Sequence, residues 1–392
     1  MNARNSDQDR RITIALTLAL AASFSVGQFG ANFAPYLIPA LEKQTGTTPQ
    51  FAGYLMSIEF GALFLLFLVF LRWGASWPLS VVAAVGVGAY ALGSAATAFS
   101  SDFMQLAAAR ALCGLGGGAA LAAANAAAAS HSNYREAFVR AITGSSLVAF
   151  VLSSAVPFAL DRFGSGALFL TLGCAGGLLL APACFLSRGP RANPIELKSQ
   201  SSILGPTAGV VLGTLLLLAG GLFARVNDGI SWSFNARFAE NANVDYQTLG
   251  LFLGLLTLAC AAAPAGANTL GQRFGNIRVF LIVMMIKAIA TYGLYTAGSL
   301  WLFVLNQSVL FFTFVMSMQL LSGALAARDG TGRLVVVGTM TLMVGDVLGP
   351  LISGTVYQSG GLLGVTLTAC LAAGVAIMFL FGASLFGRRD TA

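Results

Sequence analysis

Apolar residues come in long unbroken runs along this chain, and polar residues gather in the short stretches between runs rather than alternating within them. A bilayer core demands about 20 predominantly apolar residues per helix. Runs of that length fall at about 12–38, 50–71, 77–99, 103–129, 139–160, 164–186, 205–226, 247–267, 277–297, 299–325, 334–356 and 361–386. The pattern predicts an all-α membrane protein with twelve transmembrane helices. Little chain is left over for a sizeable soluble domain. The stretch "DRRITIALTLALAASFSVGQFGANF" has an apolar run too long for a signal peptide and no convincing cleavage site, so it reads as the first span.

One long polar break, "SRGPRANPIELKSQSS" from residue 187, opens a linker over 187–204 and divides a 1–186 half from a 205–392 half. The halves are related by a shift of 196 or 197 residues. Gln50 and Gly53 fall on Gln247 and Gly250, and "VLSSAVPFALDRFG" (151–164) falls on "VLGPLISGTVYQSG" (347–360). A six-plus-six duplication follows, giving two pseudo-symmetric six-helix bundles.

Composition supports the membrane reading: 57% of residues are hydrophobic and 9% charged, where soluble domains carry about a quarter charged. The net charge of +7 would suit nucleic acid, but its distribution points elsewhere. With the N-terminus cytoplasmic, Arg4, Arg10, Arg11, Arg72, Arg135, Arg140, Arg188, Arg191, Lys198, Arg273, Arg278, Arg328, Arg333, Arg388 and Arg389 lie inside, and only Lys43, Arg162 and Arg237 lie outside. Such asymmetry is the positive-inside signature of a multi-pass protein with both termini cytoplasmic. The cysteines Cys113, Cys174, Cys184, Cys260 and Cys370 lie in apolar runs without metal-ligand spacing and read as packing residues.

Several local motifs resemble the major facilitator superfamily of secondary transporters. The loop "GANTLGQRFGNIR" carries Gly266, Gly271, Arg273, Gly275 and Arg278 in that family's cytoplasmic loop pattern, and the resemblance makes Arg273, Gly275 and Arg278 a gating loop. Its twin "FLRWGASW" keeps Arg72 and Gly74 and lacks the usual acidic residue. The fourth run, "AAARALCGLGGGAALAAAN", matches the family's arginine and small-residue motif through Arg110, Gly114 and Gly118. In the eleventh, "GDVLGPLISG" resembles the glycine and proline motif of antiporters, which the family normally places in the fifth. The glycines have a packing explanation as well, because small residues four apart let membrane helices approach closely. "CGLGGGAAL" spells a dinucleotide fingerprint but lacks the preceding strand that the fingerprint requires.

Ionisable residues inside a span cost roughly 2.5–3.5 kcal/mol each on insertion scales, so each needs a partner, a wet cavity or a function. Six occur: Glu59, Asp228 and Asp346 are acidic, and Arg110, Arg225 and Lys287 are basic. Glu59 and Arg110 match in depth and are expected to pair, either permanently or as a proton-sensitive switch. Asp346 lacks an acidic twin in the first half and is expected to carry a proton, the alternative being a pair with a neighbouring helix. Lys287 lies on the ninth span and is read as structural, its long stem reaching toward a polar zone. His131, the one histidine, lies in the loop "SHSNYR" and is expected to be solvated.

Gln28, Asn32 and Tyr36 are spaced by four and share one stripe of the first helix. Such a stripe is costly against lipid, so it is expected to face the central cavity. At the repeat offset its counterpart is "ARVNDGISW", with Gln28 falling on Arg225 at 197, and Asn32 on Asp228 and Tyr36 on Trp232 at 196. The slip of one residue would mark a helix break at Asn227, Asp228 and Gly229.

These residues, with the resemblance, predict a secondary active transporter in the inner membrane, working by alternating access. Its substrate-binding residues are expected to be Gln28, Asn32, Tyr36, Arg225, Asp228 and Trp232, and its proton-coupling residues Glu59, Arg110 and Asp346. Arg225 points to a small organic solute carrying a carboxylate or other anion. An alternative is proton-driven antiport of hydrophobic or cationic compounds. A membrane-embedded enzyme lacks a catalytic cluster in this sequence, and a sensor lacks a signalling domain. No cofactor or metal is expected. The expected partners are the solute, a proton and the lipid bilayer, with no nucleic acid and a monomeric state.

Overall fold

The computed structural model describes residues 13–46, 48–131, 133–187, 208–259, 263–329 and 332–386. They form helices throughout, with no strand among the described residues. The first half of the sequence gives α1 (Ile14–Thr45), α2 (Pro49–Trp73), α3 (Leu79–Phe99), α4 (Phe103–Ser130), α5 (Tyr134–Phe163) and α6 (Ser165–Ala183). The second half gives α7 (Ala208–Ser233), a short α8 (Asn235–Asn241), α9 (Tyr246–Ala259), α10 (Ala263–Phe274), α11 (Asn276–Tyr295), α12 (Leu300–Ala326) and α13 (Arg333–Leu385).

Ten of these helices are long and apolar enough to cross a membrane, and α9 and α10 pass that test together as an eleventh span. At 53 residues, α13 is two spans in series, interrupted at Gly361 by a backbone of φ 58° and ψ −156°. The twelve expected spans are thereby accounted for. Nearly all of linker 187–204 lies outside the described residues, as does Cys260.

The helix starts are set by local chemistry. The hydroxyl of Thr13 accepts from the Leu16 amide at 3.2 Å to open α1. Asp102 opens α4 by accepting from the amides of Met104 and Gln105 at 2.9 and 3.3 Å. Each satisfies amides that the first turn would otherwise leave without acceptors.

Positive-φ residues record the duplication. Gly46, after α1, and Asn243, after α7 and α8, have φ of 61° and 58°. Gly164, between α5 and α6, and Gly361, within α13, have φ of 80° and 58°. Both pairs are 197 residues apart. A positive φ therefore recurs at equivalent places in each half.

Contacts group the residues into two compact units. One contains Met1–Thr47, Ile58–Glu196 and Leu253–Leu258, and the other Thr48–Ser57, Leu197–Phe252 and Ala259–Ala392. Two short stretches, from α2 and from α9, thus group with the unit of the other sequence half. In the second unit Ser57 Oγ donates to the Val347 carbonyl at 2.7 Å.

Small residues set the helix spacing inside the first unit. A Cβ on Gly86 would lie 2.7 Å from the Gly116 carbonyl oxygen, and one on Gly118 would lie 2.7 Å from that of Leu63. A Cβ on Gly114 would overlap the Glu59 carbonyl. The glycines of "CGLGGGAAL" are thus contact surfaces for α2 and α3, in line with the packing account. In the second unit Leu217, Phe280, Met284, Leu321, Leu325 and Leu380 belong to one core cluster shared by α7, α11, α12 and α13.

Candidate functional site

In the first unit α2 and α4 bring Glu59 and Arg110 together, both buried. Arg110 Nε lies 3.4 Å from Glu59 Oε2, near enough for charge attraction but outside hydrogen-bond geometry. Among the described residues, Arg110 Nε, Nη1 and Nη2, Glu59 Oε2 and the Tyr90 hydroxyl lack hydrogen-bond partners. The guanidinium lies 5.8 Å from the centroid of the Phe169 ring. Glu59 approaches α1 at Gly30, where a Cβ would overlap Oε1. The result is a buried ion pair with unused hydrogen-bonding capacity.

In the second unit the four in-span charges form two ion pairs. Arg225 on α7 donates through Nε to Asp346 Oδ1 at 2.5 Å and through Nη2 to Asp346 Oδ2 at 3.0 Å. Two parallel bonds from one guanidinium to one carboxylate are the strongest geometry available to an ion pair of this kind. Gly345 makes it possible, because a Cβ there would lie 2.7 Å from Arg225 Cβ. The guanidinium also lies 4.4 Å from the centroid of the Phe314 ring, a cation–π distance, and Nη1 is 3.9 Å from Met318 Sδ. The pair is partly open, with side-chain exposures of 13% for Arg225 and 29% for Asp346.

Lys287 supplies the second pair. Its Nζ donates to Asp228 Oδ1 at 2.8 Å and to Ser317 Oγ at 3.3 Å. The lysine is wholly buried and Asp228 is 13% exposed. Asp228, which could have neutralised Arg225 from one turn away, is instead bound to α11. The long lysine stem thus reaches a polar zone, as read from the sequence.

The expected break at 227–229 is absent, because α7 runs unbroken to Ser233. Each residue that suggested a turn has a partner across the bundle. Asn227 Nδ2 donates to the Ala369 carbonyl at 2.8 Å and meets Thr291 Oγ1 at 3.4 Å. Gly229 packs on Gly349, where a Cβ would lie 2.5 Å from Gly229 Cα. Without a break the repeat offset stays at 197, so Asn32 corresponds to Gly229 and Tyr36 to Ser233, not to Asp228 and Trp232.

On α1, Gln28 and Asn32 are half-buried, while Tyr36 is only 1% exposed and belongs to the core. Trp232 is half-buried, its ring tilted against Phe311 at 5.4 Å. Arg273 and Arg278 are exposed, and Gly275 adopts φ 87° at the start of α11. Arg273 lies over the ring of Phe274 at 5.1 Å. His131, expected in water, is instead 5% exposed, because it closes α4 and its Nδ1 accepts from the Asn133 amide at 3.2 Å. Among the described residues no cluster of three or more histidine, cysteine or acidic side chains could hold a metal.

Sequence reasoning missed Phe314, Ser317 and Met318, the α12 residues that touch both cations of the second unit. Phe314 and Met318 are apolar residues in an apolar span and give no signal of their own, and a single serine such as Ser317 is a common small residue of such spans. It also missed Tyr90, although a signal existed: Tyr90 and Lys287 are 197 residues apart, so the repeat places a buried polar side chain at the same point of both halves.

The family model described as Major Facilitator Superfamily matches residues 18–216, just over half the chain. No curated protein matches. Among solved structures, the fold is similar to a bacterial homologue of the human lysosomal transporter Spinster in an inward-facing, unoccupied form, at 14% identity over 98% of this chain and 96% of that one, with a TM-score of 0.67. It is similar to a mutant of the nucleoside transporter NupG at 15% identity over 96% and 100%, TM-score 0.69. A D-xylose–proton symporter gives 11% identity over 92% and 96%, TM-score 0.70. At such identities these likenesses bear on the fold alone. The matched residues, the apolar spans and the shared fold together establish that this chain belongs to the Major Facilitator Superfamily.

Proposed function

We propose that the protein is a proton-coupled secondary transporter that moves a small carboxylate-bearing organic solute by alternating access. The observation that carries this reading is the bidentate Arg225–Asp346 pair, partly exposed within two spans. With Asp346 ionised, its two oxygens occupy the arginine's donors. Adding a proton to Asp346 turns the carboxylate into a neutral acid and frees the guanidinium fork, which matches the carboxylate of a solute. Loss of that proton restores the competing anion and expels the solute.

Charge balance favours symport of one proton with one monoanion. Arg225 and Lys287 against Asp228 and Asp346 give the site no net charge at rest. One proton adds a single positive charge, which one carboxylate cancels. Trp232, half-buried on α7, is assigned to the neutral part of the solute. Glu59 and Arg110 form a second proton-sensitive pair, and Arg273, Gly275 and Arg278 form the gating loop. Antiport of hydrophobic or cationic compounds has no observation of its own, since the glycines that suggested it are packing residues, Gly345 and Gly349 against α7 and Gly354 against α2.

A thermal-shift screen of the purified protein against monocarboxylates, amines, sugars and nucleosides tests this reading. A ligand at 100 times its Kd adds about 2.7 kcal/mol of apparent stability. A monocarboxylate is expected to raise Tm, more strongly at acidic pH, and Arg225→Ala is expected to abolish the rise. Carboxylate stabilisation that survives Arg225→Ala, or stabilisation by amines alone, refutes the proposal.

A further inference from the structure

Arg225 and Asp228 are three residues apart on α7, a spacing at which arginine and aspartate side chains are natural partners. They do not pair. Asp228 is drawn to Lys287 on α11, at 2.8 Å, and Lys287 is in turn fixed by Ser317 on α12. The residue after Ser317, Met318, lies against Arg225, as does Phe314 one turn earlier. One face of α12 therefore touches both cations and sends each toward a different carboxylate.

We infer that Lys287 is a positioning residue for transport: by holding Asp228 it keeps Arg225 with a single exchangeable partner, Asp346. The inference rests on the exchange at Arg225 proposed above. If Asp228 were free it would take the guanidinium whenever Asp346 became protonated. The released arginine would then be neutralised internally, and the proton would open nothing for a solute. A wholly buried lysine is costly to maintain in an apolar span, and this role gives it a function that its mere burial does not. Its position matches that of Tyr90 in the first half, so the charge is a feature of the second half alone.

The test needs no substrate. Phenylglyoxal attacks guanidinium groups that no carboxylate engages, and mass spectrometry of the peptide containing Arg225 reads its rate at that residue. Asp346→Asn is expected to speed modification about tenfold, the factor corresponding to one charge-assisted hydrogen bond. Adding Lys287→Met should return the rate to that of the unaltered protein, because Asp228 now protects Arg225. Adding Asp228→Asn as well should raise it again. If Lys287→Met does not give a monodisperse protein, Lys287→Gln replaces it, keeping a polar contact for Ser317 with the same expected protection.

The two proposals fail separately. No acceleration in Asp346→Asn refutes the exchange at Arg225. Acceleration that persists when Lys287 is replaced leaves the exchange standing and overturns the positioning role.

Discussion

Arg110 is enclosed by protein with none of its three guanidinium nitrogens in hydrogen-bond geometry with a described residue, and among those residues the carboxylate paired with it is Glu59, at 3.4 Å. Breaking a buried pair by removing one member costs about 3–5 kcal/mol, because the other charge is left uncompensated. Arg110→Met is therefore expected to destabilise the protein by about that amount. Replacing both residues, as Arg110→Met with Glu59→Met, should recover most of the loss, since no buried charge then remains. Thermal unfolding in detergent distinguishes the cases. A single variant as stable as the parent would mean that Glu59 is already neutral or already solvated. At this scale the sequence was only partly legible. The pairing of Glu59 with Arg110 followed from matched depth, because the first unit offered one acid and one base. The second unit offered two of each, which permits two neutral arrangements. The choice between them depends on which helices lie side by side, and depth along a helix carries no such information.

Among the elements, α9 shows how an exposed residue fixes a helix start. Asp245 Oδ1 accepts from the Thr248 amide at 2.8 Å, and Oδ2 accepts from its hydroxyl at 2.6 Å. These bonds, the hydroxyl first and the amide second, hold the Asp245 carboxyl below its usual pKa. A carboxyl with a lowered folded-state pKa contributes stability that is complete above its unfolded value, about 3.9, and is lost as pH falls through the folded one. The first turn of α9 is accordingly expected to stay protected at neutral pH and to fray in acid. Asp245→Ala should remove the cap at every pH, costing about 1 kcal/mol. Hydrogen exchange at the Thr248 and Leu249 amides, corrected for intrinsic rates, checks both, and Asp245→Ala protection equal to the parent's at neutral pH would dismiss the cap.

Element existence was legible because lipid leaves the backbone no alternative to internal hydrogen bonds, so hydropathy marks the spans directly. The misread stretch was Asn227, Asp228 and Gly229. In water these residues punctuate a chain. Here α13 supplies a carbonyl for Asn227 and a glycine for Gly229, and α11 supplies a lysine for Asp228. Those partners come from distant sequence, and the local pattern does not show them.

For the whole molecule, the repeat and the loop charges make one joint statement about orientation. Twelve spans return the chain to the side on which it began. The described basic residues near the span ends divide between Lys43, Arg162 and Arg237 at one set of ends and Arg72, Arg135, Arg140, Arg273, Arg278, Arg328 and Arg333 at the other. Because lysine and arginine near span ends are retained in the cytoplasm, the second set is expected to face inward. In a background with the five natural cysteines replaced, Lys43→Cys and Arg162→Cys should react with a membrane-impermeant maleimide in intact cells. Arg72→Cys and Arg273→Cys should react only after permeabilisation. The reverse pattern would invert the orientation, and the positive charges would need another cause. Equal labelling of Lys43→Cys and Arg72→Cys in intact cells would remove α2 as a span, since those two residues flank it. With α2 gone, Glu59 would leave the bilayer, and the ion pair that unites α2 with α4 would no longer be buried in the membrane.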